Sequence, residues 1–178
     1  MSNKALFLDR DGTIIVDVHH GHDPDGVVLI PGAKDALGRA IELGYKLFLF
    51  TNQSGIGRGF FKMEDAIACN EKTIELLGFG PDVFSAICIA PEHPDDTPVY
   101  RKPEPRFILE SIEQFSLEPT QCFMIGDRIS DWKAGLNAGI GAVALESGKD
   151  IPDEASQFIK ENKVGRFPDL TAFVATLV

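Results

Sequence analysis

The sequence has few cysteines and no cluster of basic residues, and both shortages limit what the chain can be. Three of its 178 residues are cysteines, Cys69, Cys88 and Cys122. Three widely spaced thiols suggest no disulfide framework, so we expect buried thiols in a reducing environment. Seventeen basic residues against 27 acidic ones give a net charge of −10. We therefore expect neither a nucleic-acid partner nor an anionic membrane surface.

Long hydrophobic runs are also missing. No apolar stretch approaches the ~20 residues that cross a bilayer, and no charged-then-apolar leader precedes Asp9. With 44% hydrophobic residues, the chain is long enough for one well-packed core and too short for two large domains. We expect a single domain over residues 1–178, located in the cytoplasm, and its small size and acidic surface are compatible with a monomer.

Apolar runs alternate with helical patterns along the chain. The apolar runs predict strands at residues 4–8, 47–50, 86–89, 122–125 and 142–145. The amphipathic patterns predict helices that begin near residues 32, 63, 103 and 131, followed by two terminal helices, with Ile41 and Ile67 on buried faces. This alternation predicts an α/β fold with a doubly wound parallel sheet. It leaves no room for a large cap domain, so we expect an open site contacted by the loops at 18–28 and 56–61.

The most informative segment is a strand that ends in two carboxylates. Residues 4–8 run directly into the sequence DRDGT at positions 9–13. Ligands of parallel sheets bind beyond the carboxyl ends of the strands, and alternate residues of a strand point the same way. Asp9 and Asp11 can therefore face one substrate, and two like charges that close favour a cation such as Mg²⁺. The alternative is an Asp-Gly turn with solvated carboxylates.

Three further strand or loop ends carry polar groups. In the segment Thr51–Gly55, a hydroxyl and the following N–H groups suit phosphoryl oxygens, although a turn or a helix cap is the alternative. Lys102 lies between an arginine and a proline that favours extended backbone, and a solvated lysine is the alternative. Asp127 follows an apolar strand, and Asp131 is either a further site acid or the N-cap of the next helix.

This ordered set of an acid pair, a hydroxyl, a lysine and an acid resembles the haloacid dehalogenase-like (HAD) superfamily of Mg²⁺-dependent phosphatases. Within that superfamily the chain is similar to the histidinol-phosphate and D,D-heptose-1,7-bisphosphate phosphatase group. The matching segments are Leu8–Thr13, Thr51–Ile56 with Arg58-Gly59, Arg101–Pro103 and Gly126-Asp127. The segments His20-Gly21-His22 and Ser147-Gly148-Lys149 resemble the heptose branch.

The resemblance implies a role for each matched residue. Asp9 would be the nucleophile that forms an aspartyl-phosphate, and Asp11 would be the general acid and base. Thr51 and Lys102 would stabilise the transferring phosphoryl group. The Mg²⁺ site would consist of Asp9, Asp127 and Asp11, the last through its backbone carbonyl. The candidate substrate-binding residues are Asn52, Gln53, Arg58, Arg101 and His20. The roles of His19, His22, Arg128 and Asp131 stay open.

The implied activity is Mg²⁺-dependent hydrolysis of a small phosphorylated metabolite. The leading substrate is D-glycero-D-manno-heptose 1,7-bisphosphate, cleaved at position 7, and the alternatives are histidinol phosphate or another sugar or polyol phosphate. An alternative of another class is a phosphate-sensing, receiver-like module, because such modules also combine an acid cluster, a threonine and a lysine. Asp11 argues against it, since a stable phospho-aspartate switch needs no acid or base beside the nucleophile.

One segment departs from the pattern of the resembled group. Many members carry a structural zinc loop before the Arg-Lys-Pro segment, with ligands spaced C-x-H and C-x-C. The corresponding positions here are Ala90, Glu92, Pro98 and Tyr100. Cys88 and His93 lie nearby, but two such groups fall short of a closed tetrahedral zinc site. We therefore expect no zinc, and the altered loop bears on the choice of substrate.

Overall fold

The computed structural model describes residues 3–17, 22–148 and 150–178. Its strands are β1 (Ala5–Leu8), β2 (Lys46–Asn52), β3 (Phe84–Ala90), β4 (Cys122–Gly126), β5 (Gly141–Leu145) and β6 (Gly165–Phe167). Its helices are α1 (Ala33–Glu42), α2 (Ser54–Gly57), α3 (Met63–Leu77), α4 (Arg106–Phe115), α5 (Ile129–Asn137), α6 (Asp153–Glu161) and α7 (Leu170–Val174). The predicted alternation of strands and helices is confirmed.

The strands form one parallel sheet in the order β3-β2-β1-β4-β5-β6. The strand order reverses at β1, which lies between β2 and β4. Leu8, the last residue of β1, is in register with Leu49 of β2 and Ile125 of β4. The residues that follow these strands therefore emerge side by side, at the point where open α/β sheets bind their ligands.

The core has two layers because successive strand residues point to opposite faces of the sheet. On one face, Leu6 and Leu8 join the buried cluster that includes Leu37 of α1 and Phe173 of α7. On the other face, Phe7 stacks on Phe48 with ring centroids 4.7 Å apart, and both belong to the cluster that contains Phe107 and Ile108 of α4. Each fully buried side chain of this size stabilises the fold by roughly 1.5–3 kcal/mol. The site-bearing strands are thus anchored on both faces.

Several details differ from the sequence-based predictions, among them helix α2, which was not predicted, and α4, which begins at Arg106 and not near residue 103. Strand β6 was not predicted, because three residues that include Gly165 and Arg166 have neither the length nor the apolar character of a strand; they pair with β5. Ile41 and Ile67 are 40% and 42% exposed, so their predicted burial is wrong. The buried residues of α1 are Ala33, Ala36, Leu37 and Ala40 instead. Helix α5 begins two residues earlier than predicted, at Ile129.

The longest connections lead into the site. They join β1 to α1 and β3 to α4, and no domain is inserted in the described parts of either connection. The predicted absence of a large cap is thereby confirmed for the described residues. None of the described helices combines the length and apolar character needed to cross a membrane.

Candidate active site

Several of the predicted site residues lie together at the carboxyl edge of the sheet. A cavity of about 180 Å³ opens there, and its walls include Asp9, Asp11, Asn52, Arg101 and Lys102. Asp9 follows β1 directly, and its N–H donates to the Ile125 carbonyl of β4 over 2.9 Å. Residues separated by more than 90 positions in sequence therefore share one pocket, as the strand ends predicted.

Lys102 is the buried cation of this pocket. Its ammonium donates to Asp9 Oδ1 over 2.8 Å and to the Phe50 carbonyl over 2.7 Å, and it forms an ion pair with Asp131 Oδ1 at 2.7 Å. Only 2% of the residue is exposed. Burial opposes the charged form, but Asp131 and Asp9 outweigh it and raise the pKa of Lys102. The lysine thus holds the Asp9 carboxylate, which supports the prediction that it acts on the reacting group.

Asp127 supplies a buried carboxylate beside this pair, and its Oδ1 has a long ion pair with Arg128 Nε at 3.8 Å. Both of its oxygens are buried and accept no hydrogen bond from any described residue. Burial raises its pKa from 3.8 to about 7, with Asp9 and Asp131 adding to the rise and Arg128 opposing it. A buried carboxylate without donors is costly unless a cation binds it. Asp127 therefore has the character of a metal ligand.

The donor set fits Mg²⁺. One oxygen each from Asp9, Asp127 and Asp131 lies within 4.8 Å of the others, and Mg²⁺ prefers carboxylate and phosphate oxygens. The Asp11 carboxylate is not part of this group; its predicted metal contact, through the backbone carbonyl, stays a prediction. The two carboxylate oxygens of Asp131 already contact Lys102 and the Arg128 N–H. Asp9 and Asp127 are therefore the better candidates for metal ligands.

The backbone around Asp127 is shaped for close approach. A Cβ on Gly12 or on Gly148 would overlap the Asp127 carboxylate. Gly12 also has a φ of +80°, which side-chain-bearing residues rarely adopt. Ser147 Oγ donates to the Gly12 carbonyl over 3.0 Å, which joins the loop after β5 to the loop after β1. Two segments quoted for the resemblance thus meet at the candidate metal site.

Asp11 faces different neighbours from Asp9. Arg10 donates to it through Nε over 3.1 Å and pairs with it through Nη2 at 3.0 Å, while Gln53 Nε2 donates over 3.0 Å. Burial raises the pKa of Asp11 from 3.8, and Asp9 adds to the rise, although Arg10 and Gln53 oppose it. A carboxyl that is oriented by two donors and retains its proton more readily than usual suits a general acid.

Thr51 lies near the end of β2, and the two residues after it, Asn52 and Gln53, line the pocket. Thr51 is 1% exposed, and its hydroxyl accepts from Gln53 Nε2 over 2.9 Å. The Asn52 amide both donates to the Lys102 carbonyl over 3.2 Å and accepts from the Lys102 N–H over 3.0 Å. Gln53 therefore orients Asp11, and Asn52 holds the backbone of Lys102. The predicted substrate contacts of Asn52 and Gln53 stay predictions.

Arginines form the rim. Arg101 and Arg128 line the cavity, and Arg128 donates to Asp17 over 3.0 Å. Burial lowers the pKa of Arg101, and the charges of Arg58 and Arg128 lower it further, whereas Glu92 opposes them. Arg58 is exposed and does not line the cavity itself, but its charge reaches Arg101. The rim is therefore locally cationic on a strongly acidic protein.

An aromatic wall completes the described pocket. Phe61 lines the cavity, is 8% exposed and lies so close to Gly55 that a Cβ there would overlap its ring. The His22 ring stacks on Phe61 at 5.4 Å, whereas Phe60 is 57% exposed. His20, Gly21 and Lys149, which carried part of the resemblance to the heptose branch, lie outside the described residues, as does His19, and the role predicted for His20 stays a prediction.

Three side chains have roles that the sequence did not assign. Arg10 orients Asp11 and is anchored in turn by the Asn70 amide oxygen over 2.9 Å. Asp131 pairs with Lys102 and accepts the Arg128 N–H over 3.0 Å; of its two alternatives, it is therefore an acid of the site and not the N-cap, and it closes the start of α5 from inside the first turn. Asp17 holds Arg128. The spacing Asp127-x-x-x-Asp131 was a signal for the role of Asp131. No sequence signal marked Arg10 or Asp17.

Comparison with known proteins gives a consistent result. Residues 99–172 match the HAD-hydrolase-like family. The chain is 36% identical over 159 residues to the D-glycero-beta-D-manno-heptose-1,7-bisphosphate 7-phosphatase of Haemophilus influenzae, covering 85% of this chain and 86% of the relative. Identity to the protein of the same name from Photorhabdus laumondii is 38%, with 86% of each chain covered.

A solved structure agrees over nearly the whole length. The D,D-heptose 1,7-bisphosphate phosphatase of B. bronchiseptica, complexed with magnesium and phosphate, superposes with a TM-score of 0.84 at 26% identity, covering 98% of this chain and 97% of that one. Sequence similarity, fold and the order of the site residues therefore point the same way. The chain belongs to the HAD-like phosphatases, in the family of the heptose-1,7-bisphosphate 7-phosphatases.

Proposed function

We propose that this protein removes the 7-phosphate of D-glycero-D-manno-heptose 1,7-bisphosphate in a Mg²⁺-dependent reaction. The observation that carries the reaction type is the arrangement of Asp9, held by Lys102, beside the Asp127 carboxylate, which is buried and accepts no hydrogen bond from the described residues. The names of the relatives support the substrate. These observations bring together a nucleophile (Asp9), a cation (Lys102) and a buried carboxylate (Asp127) that a divalent metal ion would neutralise.

Asp9 and Asp127 would hold the ion, with the Asp11 carbonyl as a further oxygen ligand. Bound Mg²⁺ supplies positive charge that offsets the phosphoryl oxygens and keeps Asp9 ionised. The protein supplies the rest of the electrostatic stabilisation through Lys102 and the Thr51 hydroxyl. All of these groups are fixed before the substrate arrives, so little reorganisation accompanies the reaction.

The hydrolysis proceeds in two displacements on phosphorus. An Asp9 carboxylate oxygen attacks the phosphorus atom and the bond to the sugar oxygen breaks, while the Asp11 carboxyl gives its proton to the leaving alkoxide. A water molecule then attacks the aspartyl-phosphate, gives its proton to Asp11, and releases inorganic phosphate with Asp9 restored. The raised pKa of Asp11 serves the first step, and its anchoring by Arg10 and Gln53 keeps one carboxyl available for both.

The cationic rim favours a bisphosphate over a monophosphate. Arg101 and Arg128 line the cavity, and Arg58 lies within electrostatic reach of Arg101. A second phosphate at C1 of the sugar would relieve their mutual repulsion and accept charge-assisted hydrogen bonds. Histidinol phosphate offers one phosphate and an ammonium group, which this rim would repel. The position of Asp11 beside Asp9 favours hydrolysis over a receiver-like function, which needs a long-lived phospho-aspartate.

Phosphate release would test the proposal directly. Heptose 1,7-bisphosphate, heptose 7-phosphate and histidinol phosphate are each offered with Mg²⁺ or with EDTA to the wild type and to Asp9→Asn. Asp82→Asn, at an exposed carboxylate before β3, is the matched control. We expect Mg²⁺-dependent turnover of the bisphosphate that is lost in Asp9→Asn and kept in Asp82→Asn. Preference for histidinol phosphate would replace the substrate, and no turnover by Mg²⁺-loaded protein would refute the enzymatic proposal.

A further inference from the structure

The loop between β3 and Lys102 is folded around a single carboxylate oxygen. Glu92 Oε1 accepts the N–H of Tyr100 over 2.7 Å and the N–H groups of Val99 and Arg101 over 3.1 Å each. Glu92 stands two residues after β3, and the three donors directly precede Lys102. One side chain at the start of the loop therefore holds the backbone at its end.

The start of the loop is itself fixed to the sheet edge. The Gln53 N–H donates to the Ala90 carbonyl over 2.8 Å, and the Gly57 N–H donates to the Pro91 carbonyl over 3.0 Å. A Cβ on Gly57 would overlap the backbone of Pro91 and His93, so α2 lies directly against this segment. Glu92 thus extends from a rigid base.

Glu92 contributes its negative charge to the loop as well as a hydrogen-bond acceptor. Burial by itself raises its pKa, but the N–H groups of Tyr100, Val99 and Arg101 outweigh burial and hold the pKa below the ordinary value. Its second oxygen, Oε2, and Arg101 Nη1 are both buried without a hydrogen-bond partner among the described residues. The negative charge of Glu92 favours the charged form of Arg101. The carboxylate therefore acts on both the backbone and the side chain of Arg101.

We propose that Glu92 is a positioning residue for the phosphatase site: its carboxylate, in place of a bound metal ion, holds residues 99–101 and so places the Arg101 guanidinium on the rim. This inference rests on the proposed function for its kinetic consequence. The Asn52 amide also holds the backbone of Lys102, independently of Glu92. Loss of Glu92 should therefore displace Arg101 on the rim more than Lys102 and Asp9. Of the described residues, only Asp9, Asp127 and Asp131 form a group of three metal-ligating side chains, and none of them belongs to this loop.

The test compares Glu92→Ala and Glu92→Gln with Glu113→Ala, at an exposed glutamate of α4. Glutamine keeps an oxygen that can accept the three N–H groups, whereas alanine does not. For Glu92→Ala we expect kcat/KM for heptose 1,7-bisphosphate to fall at least tenfold, mainly through KM, and to fall much less for heptose 7-phosphate. Glu92→Gln should recover most of the loss. A merely structural role would lower kcat/KM for both substrates by the same factor. That result would overturn the proposal, and so would a Glu92→Ala protein with the same kcat/KM values as Glu113→Ala.

Amide hydrogen exchange gives a readout that does not need turnover. The N–H groups of Val99, Tyr100 and Arg101 should be protected in the wild type and in Glu92→Gln, and should exchange faster in Glu92→Ala. Protection should also persist after exhaustive dialysis against EDTA; loss of protection on dialysis would show that a metal holds the loop and would overturn the inference. Unchanged exchange in Glu92→Ala would do the same. Failure of the wild type to hydrolyse any of the phosphates would refute the proposed function alone.

Discussion

Replacement of Asp127 by asparagine should stabilise the metal-free protein. Asparagine has nearly the same shape as aspartate but carries no charge, and the Asp127 carboxylate is buried beside Asp9 and Asp131 without a hydrogen-bond donor among the described residues. The wild-type fold therefore includes an unfavourable ionisation that Mg²⁺ would offset. The substitution removes the penalty and the metal site together.

The size of the penalty follows from the pKa. A rise from 3.8 in the unfolded chain to about 7 in the fold amounts to about 4 kcal/mol at roughly 1.4 kcal/mol per unit, as an order of magnitude. The folded pKa is raised, so the fold retains a proton that the unfolded chain has released between these two pH values. Stability is therefore lost as the pH rises through that window, and the full loss is present above about 7.

The assay is thermal unfolding followed by circular dichroism, in EDTA and in Mg²⁺. At pH 8 in EDTA we expect Asp127→Asn to unfold above the wild type by on the order of 10 °C, since about 4 kcal/mol at 2–4 °C per kcal/mol applies to a chain of this size. The gap should narrow as the pH approaches 4. Saturating Mg²⁺ should raise the wild-type midpoint and leave the variant unchanged.

Two results would refute this reasoning. A variant less stable than the wild type in EDTA at pH 8 would mean that the ion pair with Arg128, 3.8 Å from Asp127 Oδ1, outweighs the cost of burying the carboxylate. Equal stabilisation of both proteins by Mg²⁺ would mean that Asp127 is not a ligand. Asp82→Asn, which removes one exposed carboxylate, controls for the change in net charge.

Three further changes test other parts of the site. Lys102→Met leaves Asp9 and Asp131 buried without their cation, so the free energy of unfolding should fall by about 3–5 kcal/mol in urea titrations, and an unchanged value would contradict the buried ion pairs. Arg58→Ala should raise KM for heptose 1,7-bisphosphate roughly fivefold in steady-state kinetics, as expected for one exposed charge, while an equal rise for heptose 7-phosphate would argue against a rim that binds the second phosphate. Glu92→Gln should be less stable than the wild type at pH 7. Because the folded pKa of Glu92 is lowered, this difference should shrink as the pH falls below its ordinary value of 4.5 and disappear below the folded pKa, and chemical denaturation at pH 7 and pH 3.5 should show a smaller difference at the lower pH.

The sequence predicted the fold class and the four strand or loop ends of the site because these features depend on local signals. An apolar run followed by acids, as at residues 5–11, shows both a buried strand and what lies beyond it. Parallel pairing then places the ends of neighbouring strands together without any knowledge of side-chain packing. Strand β6 escaped prediction because only its pairing with β5 makes residues 165–167 a strand.

The roles of individual polar side chains depended on partners that are distant along the chain. Asp131 has the sequence context of a helix cap, and only the fold brings Lys102 to within 2.7 Å of it. Arg10 reaches Asn70 across 60 positions of sequence, and Gln53 reaches Asp11 across 42. Contacts of this kind determine that Asp11 retains a proton more readily than usual and that Asp127 is left without a hydrogen-bond donor among the described residues, as expected of a metal ligand.

The sequence by itself therefore determined the parallel α/β architecture and the strand ends that carry the acids and the lysine of the candidate site, since periodicity and strand ends are properties of short segments. Only the tertiary structure decided how the charges are shared: Lys102 between Asp9 and Asp131, Arg10 on Asp11, no donor for Asp127, and Glu92 on the backbone before Lys102. The physical reason is that burial and hydrogen bonding set the energy of an ionised group, and both arise only when distant segments pack together.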